Sequence, residues 1–302
     1  MKYLVTGGSG FIGTNLVHSL LKRKKEVIIL DKVKPHSDVP FLNCDLTNLN
    51  KTNEVMGTLD KNEEYTIFHL AGLFEKDFKK RQLLTKKDYF DNNLLATKNL
   101  VNSLIRSKLN MPKFVFSSPA LLNPEDRSKW AFGEDYYVES KHYAELELES
   151  LKNYCDSLHI ARISRVIGKD NFYDIPMDIV SYFMNLLIEK DKVAITGANL
   201  KRNYVYISDV IGSLIKLKND VPFSYSSIFS QEQVNLKFVA NLVNERLVDS
   251  GILEKEREIS FKESVGNQIL SLDGKSTISD LQFKNSELVV KKAAKEYTSL
   301  LS

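Results

Sequence analysis

Cysteine is scarce in this chain. Among 302 residues there are two, Cys44 and Cys155, far apart and outside any metal-ligand spacing. That excludes a disulfide framework and a cysteine-built metal centre, and it suits a reducing compartment. Charge of one sign is lacking as well. A formal net charge of +3 is too small for a nucleic-acid surface, and the lysines are scattered rather than gathered into a stripe. The run Lys22-Arg23-Lys24-Lys25 ends a predicted helix, where cations complement the dipole. No apolar run approaches a membrane span. The chain enters a strand at once, which predicts no cleavable leader. There is no internal repeat and no Pro/Gly/Ser-rich linker. These absences predict a cytoplasmic protein with neither nucleic acid nor membrane among its partners, and no metal.

What is present is ordinary globular composition, 43% hydrophobic and 27% charged, in a chain long enough for one large α/β domain or two small ones. Short apolar runs alternate with amphipathic stretches. Strands are predicted at Lys2–Thr6, Glu26–Asp31, Val39–Cys44, Thr66–Leu70, Lys113–Ser117 and Leu158–Ile163. Helices are predicted at Phe11–Lys24, Leu49–Leu59, Tyr89–Lys108 and Tyr136–Tyr154. Such alternation implies right-handed crossovers and a parallel sheet covered on both faces, a doubly wound α/β fold with its ligand crevice beyond the carboxyl ends of the strands. Beyond about residue 165 the alternation loosens. Helices are predicted at Asp174–Lys190, Leu236–Val248 and Ser286–Leu300, with extended segments at Val193–Thr196 and Ser227–Phe229. The expected division is 1–165 as a dinucleotide-binding domain and 166–302 as a smaller substrate lobe that leans on it and closes the substrate cleft, its chain partly returning to the first domain.

Two local patterns carry chemistry. Leu4-Val5-Thr6-Gly7-Gly8-Ser9-Gly10-Phe11-Ile12-Gly13 puts Gly7, Gly10 and Gly13 at a strand-to-helix turn. Residues without a Cβ there let backbone approach a pyrophosphate at the helix N-terminus, with Phe11 and Ile12 opening the helix. Asp31 ends the second strand, where a carboxylate accepts from ribose hydroxyls and repels a 2′-phosphate, favouring NAD over NADP, with Lys32 and Lys34 moderating that preference. Farther on, Tyr137-Val138-Glu139-Ser140-Lys141 sets a phenol and an ammonium one helical turn apart. The positive charge favours the phenolate, so Tyr137 becomes a proton-exchanging group. Alone, such a pair also describes a solvated helix face; after a glycine fingerprint it points to a nucleotide-dependent oxidoreductase.

With these motifs the chain resembles the extended short-chain dehydrogenase/reductase family, in particular nucleotide-sugar 4-epimerases and 4-keto reductases, almost end to end. The resemblance implies a Rossmann fold and adds further residues. Asp45 and Leu46, in Asn43-Cys44-Asp45-Leu46, frame the adenine. Leu70, Ala71 and Gly72, in Phe68-His69-Leu70-Ala71-Gly72-Leu73, pass the cofactor phosphates and ribose. Asn93, in Tyr89-Phe90-Asp91-Asn92-Asn93 followed by Thr97, is structural and faces the cofactor. His69 reads as a packed strand-end residue. Tyr137 is the general acid/base, and Lys141 lowers its pKa and holds the nicotinamide ribose. Arg165 and Arg202, with Lys262 counted back from Leu272-Asp273-Gly274-Lys275, contact a sugar diphosphate. Helices Tyr89–Lys108 and Tyr136–Tyr154 pair across a two-fold axis into a homodimer, with Leu94, Leu95, Val101 and Leu104 supplying apolar positions.

The sequence departs from the family at one point. The third catalytic member, a Ser or Thr three residues beyond Phe116, falls on Pro119, which carries no hydroxyl. Either Ser118 substitutes or Tyr137 works without it; Ser117 and Ser118 also read as simple strand-end hydroxyls. The carboxylate pair of family dehydratases is missing from Pro119-Ala120-Leu121, which disfavours dehydration. The expected activity is NAD-dependent hydride transfer at the C4 of a nucleotide-sugar, by a 4-epimerase or a 4-keto reductase. The alternatives are reduction of a non-nucleotide carbonyl, or a dinucleotide-binding protein with weakened catalysis.

Overall fold

A computed structural model of the chain describes residues 1–74, 83–120, 136–169, 178–230, 232–263 and 285–301. The chain divides into two compact units, Met1–Arg162 with Ile211–Ser226, and Ile163–Val210 with Ser227–Ser302.

The first unit carries most of a seven-stranded sheet: β1 (Lys2–Thr6), β2 (Val27–Asp31), β3 (Phe41–Asn43), β4 (Glu64–His69), β5 (Asn110–Pro119), β6 (Leu158–Ile163) and β7 (Phe223–Ile228), in the order β7-β6-β5-β4-β1-β2-β3. The pairings of β1 with β2 and β4, β2 with β3, and β4 with β5 are parallel. The chain order reverses direction at β1, so the switch point lies between β1 and β4, where Thr6 sits opposite His69. In such sheets the crevice beyond the strand ends at that point is the ligand site. The strands read as nearly continuous apolar runs because both faces are covered: Leu4, Val5, Ile29, Leu30, Ile67, Phe114 and Phe116 are fully buried. Helices α1 (Phe11–Lys22), α2 (Leu49–Gly57) and α4 (Ala96–Ser107) supply the cover, as does α5 (Tyr136–Glu147), followed by a 3₁₀ stretch at Leu148–Asn153.

The sequence-predicted helix Tyr89–Lys108 is not one regular helix. A short α3 (Lys86–Tyr89), capped by Thr85, runs into a π-helical turn at Phe90–Leu95 before α4 begins. Of its apolar positions, Val101 and Leu104 are buried in the core, Leu94 is half-buried, and Leu95 is exposed. Of the segment Ser227–Phe229, read as a separate extended piece, Ser227 and Ile228 are the end of β7 in the central sheet and Phe229 follows it.

The second unit holds α6 (Ile179–Glu189), α8 (Leu236–Asp249) and α9 (Ser286–Leu301), with Ile207–Val210 opening α7 (Ile207–Lys216). Three two-stranded ladders complete it: Arg165–Ile167 with Tyr204–Tyr206, Lys192–Thr196 with Glu258–Lys262, both parallel, and Lys201–Arg202 with Val234–Asn235, antiparallel. The helix α7 and the strand Glu258–Lys262 are absent from the sequence reading. Among the described residues no helix is long and apolar enough to cross a membrane.

Candidate active site

The glycine turn is built by close backbone approach. Gly7 adopts φ +68°, and a Cβ on it would stand 2.5 Å from the Ala71 nitrogen. A Cβ on Gly13 would stand 2.1 Å from the Gly7 carbonyl oxygen. Gly10 differs: its nearest neighbour would be that same oxygen at 3.4 Å, so its bare face opens outward at the start of α1. Three glycines therefore do two jobs, with Gly7 and Gly13 closing the turn and Gly10 leaving room over it. Phe11 and Ile12 are half-buried at the first turn of α1.

Asp31 closes the far side. One carboxylate oxygen accepts from the Ser9 backbone N–H at 3.0 Å, the other from that of Val33 at 3.1 Å, and the Ser9 hydroxyl donates to the Val33 carbonyl. Two of the roughly four acceptor positions of a carboxylate are thus taken, and two remain. Lys32 reaches sideways, donating to Asn92 Oδ1 at 3.0 Å and lying 3.9 Å from Asp45. Asp45 is exposed. Burial alone would raise its pKa, but bonds from the Thr47 N–H and hydroxyl, with Lys32 nearby, leave it below the ordinary carboxylate value. Leu46 is buried, its carbonyl held by the Asn99 amide.

At the carboxyl ends of β1 and β4 a fully buried histidine ties the strands to the next helix. His69 contacts the Thr6 hydroxyl through Nδ1 at 2.6 Å and the Thr97 hydroxyl through Nε2 at 3.0 Å. Thr97 spends its proton on the Asn93 carbonyl, so it accepts from His69 Nε2–H, and Thr6 donates to Nδ1. Thr6 then accepts from the Ala71 N–H. Burial, with the Lys141 charge, pulls the imidazole down to about 3, which keeps it neutral. His69 is thus a structural strand-end residue, as its sequence position indicates.

Asn93 sits in the π turn and is buried. Its Oδ1 accepts from the Leu73 N–H at 2.6 Å, and its amide donates to the Leu73 carbonyl and to Ser140 Oγ at 2.9 Å. Ser140 in turn donates to the Tyr137 carbonyl. One asparagine therefore joins the segment following β4 to the first turn of α5. A Cβ on Gly72 would meet Asn93 Oδ1 at 2.8 Å and Lys141 Nζ at 3.5 Å, so Gly72, exposed beside the half-buried Leu70 and Ala71, admits the lysine.

Helix α5 buries Val138, Ser140, Lys141, Ala144 and Glu145. Lys141 is 3% exposed, which removes the solvated-face reading of the Tyr/Lys spacing. Burial pulls its ammonium down to about 7, opposed by Glu145. Its Nζ lies 4.1 Å from the centroid of the Phe116 ring. The Tyr137 ring packs on Phe74 at 4.8 Å and on Tyr89 at 6.4 Å. Strand alternation puts Ser118 on the same face of β5 as Phe116 and Pro119 on the opposite face. Among the described residues the buried Ser118 hydroxyl has no hydrogen-bond partner. A buried hydroxyl lacking a partner is uncommon in a folded protein.

The anion-binding candidates lie in the second unit. Arg165 is exposed and stands in register with Tyr204; Arg202 lies two residues before Tyr204 and is buried, its Nη1 donating to the Lys201 carbonyl. Desolvation lowers the Arg202 pKa, and both arginines act on the buried Tyr204 hydroxyl. Lys262 ends a different ladder, opposite Thr196, and is exposed. The motif Leu272–Lys275 from which it was counted lies outside the described residues, as do Leu121, Leu122 and Asn123. Among the described residues no cluster of three or more His, Cys, Asp or Glu is placed to hold a metal.

Sequence reasoning missed the clamp of Ser9 on Asp31, the Thr6–His69–Thr97 chain, and the pair Glu145–Arg162. Only the last had a visible signal, a glutamate four residues after Lys141 in a helical pattern.

A switch-point crevice with a glycine turn, a strand-end aspartate and a buried lysine defines a Rossmann-type dinucleotide-binding protein. Residues 3–220 match the model of the NAD dependent epimerase/dehydratase family, and the chain belongs to that family; its cofactor is NAD. It is 29% identical over 276 residues to dTDP-D-glucose 4,6-dehydratase of Dictyostelium discoideum, covering 80% of this chain and 62% of that protein. It is 24% identical over 217 residues to CDP-abequose synthase of Salmonella muenchen, covering 72% and 69%. The chain thus spans less than two thirds of the first of these relatives. Among solved structures, the Bordetella bronchiseptica enzyme WbmH in complex with NAD+ superposes with a TM-score of 0.74 at 19% identity, over 99% of this chain and 98% of that one; at that identity the likeness speaks for the fold.

Proposed function

We propose that this chain is an NAD-dependent enzyme of nucleotide-activated sugars, moving hydride at a sugar carbon with Tyr137 as general acid/base, as a 4-epimerase or a 4-keto reductase. The observation that carries this reading is the burial of Lys141 one turn beyond Tyr137, beside Gly72 and over the Phe116 ring. An ammonium withdrawn from water beside a phenol favours the phenolate and donates to a ribose hydroxyl from the same position. The dTDP and CDP in the relatives' names support a nucleoside diphosphate on the substrate, with Arg202 and Arg165 as its contacts, since a guanidinium binds phosphate bidentately. Lys262 is a weaker third contact.

The residues at hand fit the cofactor. The open face over Gly10 receives the pyrophosphate, and the spare acceptor positions of Asp31 receive the adenosine ribose. Asp45 and Leu46 frame the adenine. When bound, NAD supplies the hydride chemistry, and every proton movement falls to the chain. Tyr137 takes a proton from the substrate hydroxyl or returns it to the carbonyl. Ser118 donates from the Lys141 face of β5 in place of the hydroxyl that Pro119 cannot carry. The run Pro119-Ala120-Leu121 offers no acid for elimination, which supports epimerisation or reduction over dehydration.

The test is purified protein with nucleotide sugars and 4-keto sugars, reading hydride transfer and isomer composition. Tight NAD retention with interconversion of 4-epimers identifies an epimerase; exchangeable NADH consumed with a 4-keto sugar identifies a reductase. Turnover of neither class would overturn the reading.

Two expectations accompany it. NAD should bind more tightly than NADP at matched ionic strength, because a 2′-phosphate meets the Asp31 carboxylate, and Asp31→Ala should erase the preference. Equal wild-type affinities would refute that assignment. The protein should also be a homodimer. Leu95, Tyr143 and Leu146 are large apolar residues left exposed on the π turn and α5, a surface suited to a two-fold partner. Light scattering at micromolar concentration should give twice the chain mass, and a monomer mass would count against it. The two cysteines are buried free thiols, in keeping with a reducing, cytoplasmic setting.

A further inference from the structure

A buried ammonium is costly unless a fixed anion meets it. The titratable and charged groups that bear on Lys141 are Tyr137 and Glu145, one turn either way on its own helix, and His69 at the end of β4, with Arg162 of β6 bonded to Glu145. The floor beneath Nζ is the Phe116 ring. His69 is neutral and offers no counter-charge. Glu145 is the one carboxylate in this set, a helical turn beyond Lys141 on the buried face.

Glu145 is itself fixed. The Arg162 Nε donates to one of its oxygens at 3.1 Å and Nη2 to the other at 2.6 Å, with both residues 2% exposed. Tyr225 stacks on the guanidinium, its ring centroid 4.3 Å from Cζ. Among the described residues the third guanidinium nitrogen, Nη1, is buried without a hydrogen-bond partner, so Arg162 forgoes a bond to them while holding this fork. An ion pair made for stability alone would gain little in such a place, because a well-packed apolar pair serves as well or better.

We propose that Glu145 is a positioning residue for Lys141: gripped by Arg162, its carboxylate keeps the buried lysine charged and in place over Phe116 and beside Gly72. The use to which Lys141 is put rests on the function proposed above; the tie between Glu145 and Lys141 does not.

The experiment is a pH titration of cofactor-free protein carrying ¹³Cε-lysine, followed by NMR, with the Lys141 signal identified by its loss in Lys141→Met. Removing the negative charge disfavours the ammonium, so Glu145→Gln should lower the Lys141 midpoint by about one pH unit or more. That variant strands the Arg162 charge and is prone to unfold. The pair Glu145→Gln with Arg162→Met removes both charges; it should melt close to the wild type and, because Glu145 and not Arg162 acts directly on Lys141, still show a lowered midpoint, by less than in the single variant. A wild-type midpoint in either folded variant would overturn the proposal and leave Glu145 a purely structural partner of Arg162. An unmoved midpoint alongside an inactive Tyr137→Phe protein would sink this inference alone. A lowered midpoint alongside a fully active one would sink the proposed function alone.

Discussion

Tyr137→Phe is expected to reduce turnover about 10²–10⁴-fold, the usual worth of a general acid/base, while NAD affinity and thermal stability stay near the wild type. The phenyl ring keeps the packing on Phe74 and Tyr89, and the Tyr137 carbonyl still accepts from the Ser140 hydroxyl. Only the proton-carrying oxygen is lost. Lys141→Ala should differ in kind, weakening both NAD binding and rate, because in the proposed mechanism one ammonium serves the ribose and the phenol. Ser118→Ala decides the question raised by Pro119. Its hydroxyl has no partner to lose among the described residues, so the fold should tolerate the change, and a loss of rate would then report catalysis rather than damage. A fall of tenfold or more assigns Ser118 the missing role, whereas an unchanged rate means that Tyr137 acts without a helper. Measured on whichever nucleotide sugar the screen identifies, a Tyr137→Phe protein with most of its activity would refute the mechanism.

How much of this was legible in the sequence depended on the range of the interactions. The strands from Lys2 to Ile163 were visible because a sheet covered on both faces needs continuous apolar runs, and turn residues bound them. The last strand of that sheet was only half visible, since Phe223–Ile228 reads Phe-Ser-Tyr-Ser-Ser-Ile and its serines resemble a loop. The π turn at Phe90–Leu95 was invisible, because over six residues a wider turn leaves no periodicity distinct from that of an α-helix. It matters to the site, because Asn93 lies in it and bonds both Leu73 and Ser140. The pairing of Arg162 with Glu145 joins residues 17 positions apart on a helix and a strand, and nothing local announces it. Pro119 was legible as a loss; what its neighbour does was not, because only strand alternation and burial separate Ser118 from an ordinary strand-end serine.

The glycine fingerprint shows the same limit, and it yields the other large effect. In sequence Gly7, Gly10 and Gly13 are equivalent marks, but their surroundings differ. A methyl group on Gly13 would sit 2.1 Å from the Gly7 oxygen and 2.8 Å from the Gly8 Cα, both backbone atoms with no rotamer to yield. Gly13→Ala must therefore push α1 away from the turn. Overpacking of this kind costs about 1–3 kcal/mol or more, so the melting temperature should fall by on the order of 10 °C and NAD binding should be lost with the turn. Gly10→Ala meets only the Gly7 oxygen, at 3.4 Å, and should melt like the wild type. Its methyl group would instead occupy the space over the turn where the pyrophosphate is proposed to lie, so NAD affinity should drop at least tenfold in a fully folded protein. Thermal melts and NAD titrations of the two variants separate the outcomes. If Gly10→Ala binds NAD normally, the cofactor does not lie over that face of the turn. If Gly13→Ala melts with the wild type, the turn is looser than its backbone contacts require.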